Sequence, residues 1–159
     1  MGELIKSIDL GHDGETRALG ARLGQMLHPG DCLALRGDLG AGKTSLARGL
    51  IQSVMGADVE VPSPTFTLVQ RYQPDPAIWP HIGEILHFDL YRLEAPDEVW
   101  ELGWEELDET ISVVEWPDKA GDLLPPMRLD IDITFIGDHR RAHLSAVPRS
   151  NWKSRLHDV

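Results

Sequence analysis

The run Gly37-Asp38-Leu39-Gly40-Ala41-Gly42-Lys43-Thr44 meets the pattern G-x-x-x-x-G-K-[ST] at every fixed position. That spacing suits one chemistry, the grip of a polyphosphate. Glycine takes positive φ without a Cβ clash, so the backbone can wrap closely around a phosphate. The N–H groups along Leu39, Gly40, Ala41 and Gly42 then form an anion nest, and the helix that follows adds its positive N-terminal end. Lys43 would reach the terminal phosphates, and the Thr44 hydroxyl is placed to ligate Mg²⁺. A random chain of this length matches the pattern about 0.5% of the time, so nucleotide binding is the expectation. Guanine-specific proteins of the Ras type carry Asn-Lys-x-Asp. Lys119, preceded by Asp118 and followed two residues on by Gly121, does not fit that motif, so ATP is expected.

Phosphoryl transfer also needs a carboxylate at the end of a neighbouring strand, to hold Mg²⁺ and orient the attacking water. Two positions qualify: Asp89 after Ile85-Leu86-His87-Phe88, and Glu115 after Ile111-Ser112-Val113-Val114. Either could fill the role; the aspartate suits a metal or water ligand, the glutamate a metal ligand or general base. Thr65, within Ser63-Pro64-Thr65-Phe66-Thr67, lies where many such proteins carry a threonine that senses the γ-phosphate. The same residues would equally cap a strand. The seven histidines are scattered, and no zinc site is expected. His87, two residues before Asp89, reads as a core or edge residue, with support of the site as the alternative.

Particular elements must bring these groups together. Ile5, Ile8 and Leu10 predict a short first strand. Asp13 stands where an N-cap would, ahead of a helix whose one face carries Leu19, Leu23, Met26 and Leu27 until His28-Pro29-Gly30-Asp31 breaks it. Cys32–Leu35 reads as a strand buried on both faces, and the phosphate loop follows it directly. A helix then runs from Lys43 through Leu46, Leu50, Ile51 and Val54 to Gly56. Further strands are expected around Phe66–Tyr72, over Glu84–Leu90 and over Ile111–Trp116, with Pro74 to Pro80 a loop. Glu94–Glu109 reads as one or two acidic helices, with Trp100 and Trp104 on one face. Leu129, Ile131, Ile133 and Phe135 alternate with polar residues, as do Ala142, Leu144 and Ala146 after the Gly137-Asp138 turn. The sum is an α/β fold, a single P-loop domain with a mixed parallel and antiparallel sheet flanked by helices and closed by an antiparallel hairpin. It spans residues 1–148; residues 149–159 read as a tail with little pattern.

The chain has 159 residues and 15 basic against 26 acidic side chains, a net charge of −11. That balance disfavours a free-standing nucleic-acid binder, which needs a dense basic surface. The eight acids and no base between Glu94 and Glu109 read as a solvated face or a surface for a basic partner. A single cysteine, Cys32, excludes an internal disulfide framework and agrees with a reducing cytosol. No apolar stretch approaches the roughly 20 residues of a membrane helix, and the first residues have no signal-peptide core. A cytoplasmic protein with no membrane partner is expected.

Four segments in order, GDLGAGKTS, SPTFTLVQRY, HFDLYRL and VVEWPDKAGDLLP, resemble the TsaE (YjeE) family, small bacterial ATPases of tRNA threonylcarbamoyl-adenosine biosynthesis. The likeness runs from about Asp13 to Val147. It implies a P-loop fold in which Lys43 and Thr44 serve the phosphates and Mg²⁺ and Glu115 ligates the metal. Asp89 would lie by the γ-phosphate and support hydrolysis, Thr65 would belong to a switch-like segment, and Trp116 would lie beside the nucleotide, where an indole could equally serve core packing. Asp13, Asp118 and Arg140 would approach the adenine and ribose. The resemblance also implies partners, the TsaD and TsaB subunits of a threonylcarbamoyl transferase complex, with tRNA reached only through that complex. The stretch Asp75–Gly83 exceeds the family pattern and receives no role from it. Two other classes remain beside the ATPase subunit: a small-molecule kinase, and a regulatory module that binds nucleotide without turnover. A kinase usually carries an arginine-rich lid, whereas Arg140-Arg141 lies in the terminal hairpin.

Overall fold

Strands buried on both faces lose their alternation and read as continuous apolar runs, and three such strands form the centre of this molecule. The computed structural model describes residues 2–159. Strand β1 (Glu3–Leu10) comes first, then helix α1 (Asp13–Gly24), strand β2 (Cys32–Arg36), helix α2 (Lys43–Met55) and strand β3 (Val69–Tyr72). Strands β4 (Ile85–Asp89), β5 (Ile111–Glu115), β6 (Leu129–Ile136) and β7 (His139–Ala146) follow, and a short helix α3 (Trp152–Arg155) closes the chain. They make one seven-stranded sheet in the order β1-β7-β6-β2-β5-β4-β3. β2 runs parallel to β5 and β6, and β5 parallel to β4, so the carboxyl ends of four strands share one edge. β3, β7 and β1 join antiparallel, as expected of a mixed sheet with a terminal hairpin.

Helices α1 and α2 cover one face, packed so closely that glycines are required between them. A Cβ on Gly20 would overlap the Leu46 carbonyl oxygen, and one on Gly49 would overlap that of Arg17. Beneath them Leu19, Leu23, Leu46, Leu50 and Ile51 meet Leu33, Leu35, Ile131 and Leu144 in the larger core. The other face of β4, β5 and β2 is covered by short 3₁₀ turns, where Leu86, Phe88 and Val114 pack against Val99, Trp104 and Leu107.

Several local expectations need correction. Asp13 is the first helical residue, not the cap; His12 precedes it in extended conformation. α1 stops at Gly24, before the His28–Asp31 break, although Leu27 is still buried. The strand expected from Phe66 begins only at Val69, because Leu68 takes a left-handed φ of 69° and its N–H closes on the Pro64 carbonyl at 2.7 Å. The acidic helices are 3₁₀ turns, Pro96–Leu102 and Trp104–Glu106, parted by Gly103 at φ 91°. Trp100 and Trp104 therefore do not share a face: Trp104 is buried edge-on against Phe88 and donates to the Leu123 carbonyl at 2.9 Å, while Trp100 is half exposed. Residues 149–159 pack onto the core. Trp152 and Leu156 are buried, and Arg155 donates to Asp31 at 2.6 and 3.0 Å. Among the described residues no helix is long and apolar enough to cross a membrane.

Candidate functional site

The phosphate loop leaves the carboxyl end of β2 and enters α2 with Gly42 at φ 111°. Gly42 supplies no side-chain cap, and the first intrahelical bond is that from Leu46 to the Gly42 carbonyl. The N–H groups of Lys43, Thr44 and Ser45 thus form the open, positive end of a helix. Lys43 is almost wholly buried. Its ammonium donates to the carbonyl oxygens of Gly37 and, at 3.2 Å, of Asp38, and it lies 4.1 Å from the centre of the Trp116 ring. Burial pulls this amine below the ordinary lysine value, opposed by the carboxylates of Glu115, Asp89 and Asp38.

The two strand-end acids are direct neighbours, because β4 and β5 pair with Asp89 opposite Glu115. Glu115 accepts from the Thr44 hydroxyl at 3.0 Å on one oxygen, and its other oxygen lies 2.7 Å from His87 Nε2. Asp89 holds the adjacent loops. One oxygen accepts the Tyr91 N–H at 3.0 Å and the other the Thr65 hydroxyl at 3.1 Å, and Thr65 in turn meets Ser63 at 2.8 Å. Trp116 adopts a left-handed conformation, φ 57° and ψ 50°, which costs a residue with a Cβ about 1–2 kcal/mol. The turn lays its ring between Lys43 and Tyr91, whose ring centre is 5.0 Å away.

These groups line a single cleft of about 240 Å³. Leu39, Gly40, Gly42, Lys43, Thr44, Thr65, Asp89, Glu115 and Trp116 all border it, as do Asp13 and Arg140. Arg140 donates to the Gly40 carbonyl at 2.8 Å. The Ser45 hydroxyl, ahead of the neighbouring Arg17, holds the Asp13 carboxyl below the usual aspartate range. Two named positions lie apart. Ala41 is buried behind the loop, and Asp118 borders a separate cavity of about 330 Å³ with Arg36, Pro117 and Lys119, where Arg36 meets it at 3.0 Å. Ser45 and Ser63, for which the sequence predicts no role, also border the cleft; His87, expected as a core or edge residue with support of the site as the alternative, is buried beneath it in contact with Glu115. The period-two step His87-x-Asp89 was the one available signal.

Chemically, the cleft offers three helix N–H groups and an ammonium toward an anion, with a hydroxyl and a carboxylate 3.0 Å apart beside them. Among the described residues no cluster of three or more histidine, cysteine or acidic side chains makes a closed metal cage.

The sequence family described as "Threonylcarbamoyl adenosine biosynthesis protein TsaE" matches residues 10–143. A tRNA threonylcarbamoyladenosine biosynthesis protein TsaE from Rickettsia felis is 37% identical over 150 residues, 94% of this chain and 83% of that one. Its Bacillus subtilis namesake is 37% identical over 129 residues, 80% of this chain and 76% of the relative. The crystal structure of YdiB from Bacillus subtilis superposes with a TM-score of 0.75 at 26% identity, covering 98% of this chain and 95% of that one.

Proposed function

The chain belongs to the TsaE family of threonylcarbamoyl adenosine biosynthesis, and on that premise we propose that it is an Mg²⁺-dependent ATPase subunit serving that tRNA modification. The observation that carries the reading is the Thr44–Glu115 pair, 3.0 Å apart beside the open end of α2 and the Lys43 ammonium. Mg²⁺ keeps several waters and is usually held by one or two protein groups together with substrate phosphates. A hydroxyl and a carboxylate without a closed cage fit that habit. Held by Thr44 and Glu115, Mg²⁺ would supply positive charge to offset that developing on the phosphates.

The chain's own groups divide the rest of the work. The N–H groups of Lys43, Thr44 and Ser45 bind phosphate, and Lys43 leaves the carbonyls of Gly37 and Asp38 to meet it. Thr44 and Glu115 hold the metal. Asp89, which fixes Thr65 in the loop facing the cleft, orients the attacking water and couples the terminal phosphate to that loop. Asp13 and Arg140, which also border the cleft, receive the ribose and adenine. A cleft of about 240 Å³ is small beside the roughly 300–1,000 Å³ of typical ligand pockets, so the polyphosphate is enclosed and the base lies at the rim. Arg140 stands in β7, not in a mobile lid, which favours hydrolysis over a kinase's transfer to an acceptor.

The partners in this reading are the TsaD and TsaB subunits of the threonylcarbamoyl transferase, in the cytoplasm, with tRNA engaged only through them. The test is Glu115→Ala. It should still bind nucleotide and lose hydrolysis by about 100-fold or more, the scale of a lost general base or metal ligand. In cells depleted of the protein, threonylcarbamoyl-adenosine in total tRNA should fall. Wild type should restore it and Glu115→Ala should not. Full hydrolysis by Glu115→Ala would remove that residue from the mechanism, and an unchanged threonylcarbamoyl-adenosine level would remove the cellular role.

A further inference from the structure

β4 and β5 run side by side in the register Ile85 with Ile111, His87 with Val113, Asp89 with Glu115. Alternation turns all six side chains toward α2. Ile85, Ile111 and Val113 are aliphatic and buried in the larger core. His87 stands among them, completely buried, one step below the cleft. Nothing about this position asks for a polar ring on grounds of packing. His87 Nδ1 is buried and has no hydrogen-bond partner among the described residues. An unpartnered buried nitrogen opposes folding, and an aliphatic side chain would fill the space without it.

Among the described residues the ring makes one polar contact, with Glu115, Nε2 to Oε2 at 2.7 Å. An ionised carboxylate only accepts, so Nε2 is the donor. Glu115 is therefore held at both oxygens, by His87 from below and by Thr44 from the side. Three torsions separate a glutamate carboxylate from its backbone. With Thr44 alone the group could swivel about a single contact; the second contact fixes which oxygen faces Thr44 and the cleft.

We propose that His87 is a positioning residue for the hydrolytic site, a buried donor that orients the Glu115 carboxylate toward Thr44 and the metal. The inference rests on the proposed Mg²⁺-dependent ATPase. His87 touches neither phosphate nor metal and transfers no proton. Groups that orient a ligating carboxylate in this way typically account for about 10–100-fold in metal affinity or activity.

The experiment compares wild type, His87→Leu and His87→Gln in the full chain. Three quantities are measured: thermal melting without ligand, calorimetric binding of ADP with and without Mg²⁺, and the Mg²⁺ concentration giving half-maximal ATP hydrolysis. His87→Leu should melt at or above the wild-type temperature and bind ADP normally in EDTA. Its Mg²⁺ requirement should rise about 10–100-fold, with kcat falling at saturating Mg²⁺. His87→Gln, whose amide N–H can reach the same oxygen, should recover much of the loss. Wild-type Mg²⁺ dependence in His87→Leu would overturn the proposal. So would a loss of melting temperature and of metal-free ADP binding together, with glutamine no better than leucine. If instead wild type itself shows no Mg²⁺-dependent binding or hydrolysis, the ATPase reading fails, and the role of His87 falls with it.

Discussion

The two halves of the sheet treat their polar residues in opposite ways. In the parallel half, β2, β4 and β5 carry His87, Asp89, Ser112 and Glu115 in buried positions, with Lys43 buried just above them. In the antiparallel half, β1, β6 and β7 bury no charged residue. Their charges stay in reach of solvent: Arg141 pairs with Asp9 at 2.6 Å, and Arg128, just ahead of β6, pairs with the partly buried Asp130 at 2.9 Å. Removing a charge from water is costly unless the surroundings compensate it, and exposed pairs contribute little to stability. The antiparallel half is thus arranged for folding and solubility, whereas the parallel half accepts a cost at one edge. That edge is the carboxyl end of the strands, where open α/β sheets bind their ligands.

The strongest way to break this contrast is to remove the buried cation. Lys43→Ala should weaken nucleotide binding by about 10–100-fold, the worth of hydrogen bonds to a charged group of about 1.5–3 kcal/mol, and should abolish useful turnover. Calorimetry with ADP and a phosphate-release assay would show it. Unchanged affinity would mean that Lys43 stays on Gly37, Asp38 and Trp116, and that its burial is only structural.

The contrast sharpens if the helix layer can be disturbed without touching the cleft. Gly20 lets α1 lie directly on the backbone of α2 at Leu46. Gly20→Ala should cost about 1–3 kcal/mol of overpacking, lowering the melting temperature by roughly 2–4 °C for each kcal/mol. ADP affinity well below the melting range should stay within about twofold, because Gly20 itself lies outside the cleft. Thermal melts with parallel calorimetry decide it. A matching fall in affinity would show that the helix pair and the site are one mechanical unit.

The parallel half was the more legible in sequence, for the same physical reason that it is functional. A strand buried on both faces leaves a continuous apolar run, and a phosphate loop leaves glycines at fixed spacing; both are local signals. Asp89 and Glu115 stood out because an acid ending an apolar run is conspicuous. Their side-by-side register was not legible, since pairing is set by strands far apart in the chain. Leu68 and Trp116, both left-handed without being glycine, give no sequence sign. Nor does the docking of Trp152 and Leu156, two apolar residues too few to make a period. Gly103 marked the interruption between Trp100 and Trp104, but the acidic pattern around it suggested α-helix where 3₁₀ turns form.

A finer cut separates the two cavities that share Trp116. Arg140 reaches the cleft from the antiparallel half, while Asp118 faces the second cavity and pairs with Arg36. Arg140→Ala should weaken ADP binding by about tenfold, one charge-assisted contact. Asp118→Ala should leave it within about twofold. Comparable losses in a calorimetric pair would extend the nucleotide across Trp116 into the second cavity.

The smallest expected effect tests the antiparallel half's rule at its weakest point, Asp132. Opposite Arg36 in the β2–β6 register, it is half-buried. Partial removal from water raises its carboxyl above the ordinary aspartate value of 3.8, helped by Asp130 and Asp118 and opposed by Arg36 and His143. Because the folded value is the higher one, the native state holds its proton longer than the unfolded chain. Stability contributed by this group is present below pH 3.8 and declines as pH rises toward the folded value, after which the penalty stays constant. Asp132→Asn should therefore be slightly more stable than wild type at neutral pH, and the difference should vanish in acid. Urea midpoints across that range measure it. A variant less stable at neutral pH would show that the Arg36 attraction outweighs desolvation, leaving even the half-buried charge of this half as a stabilising pair.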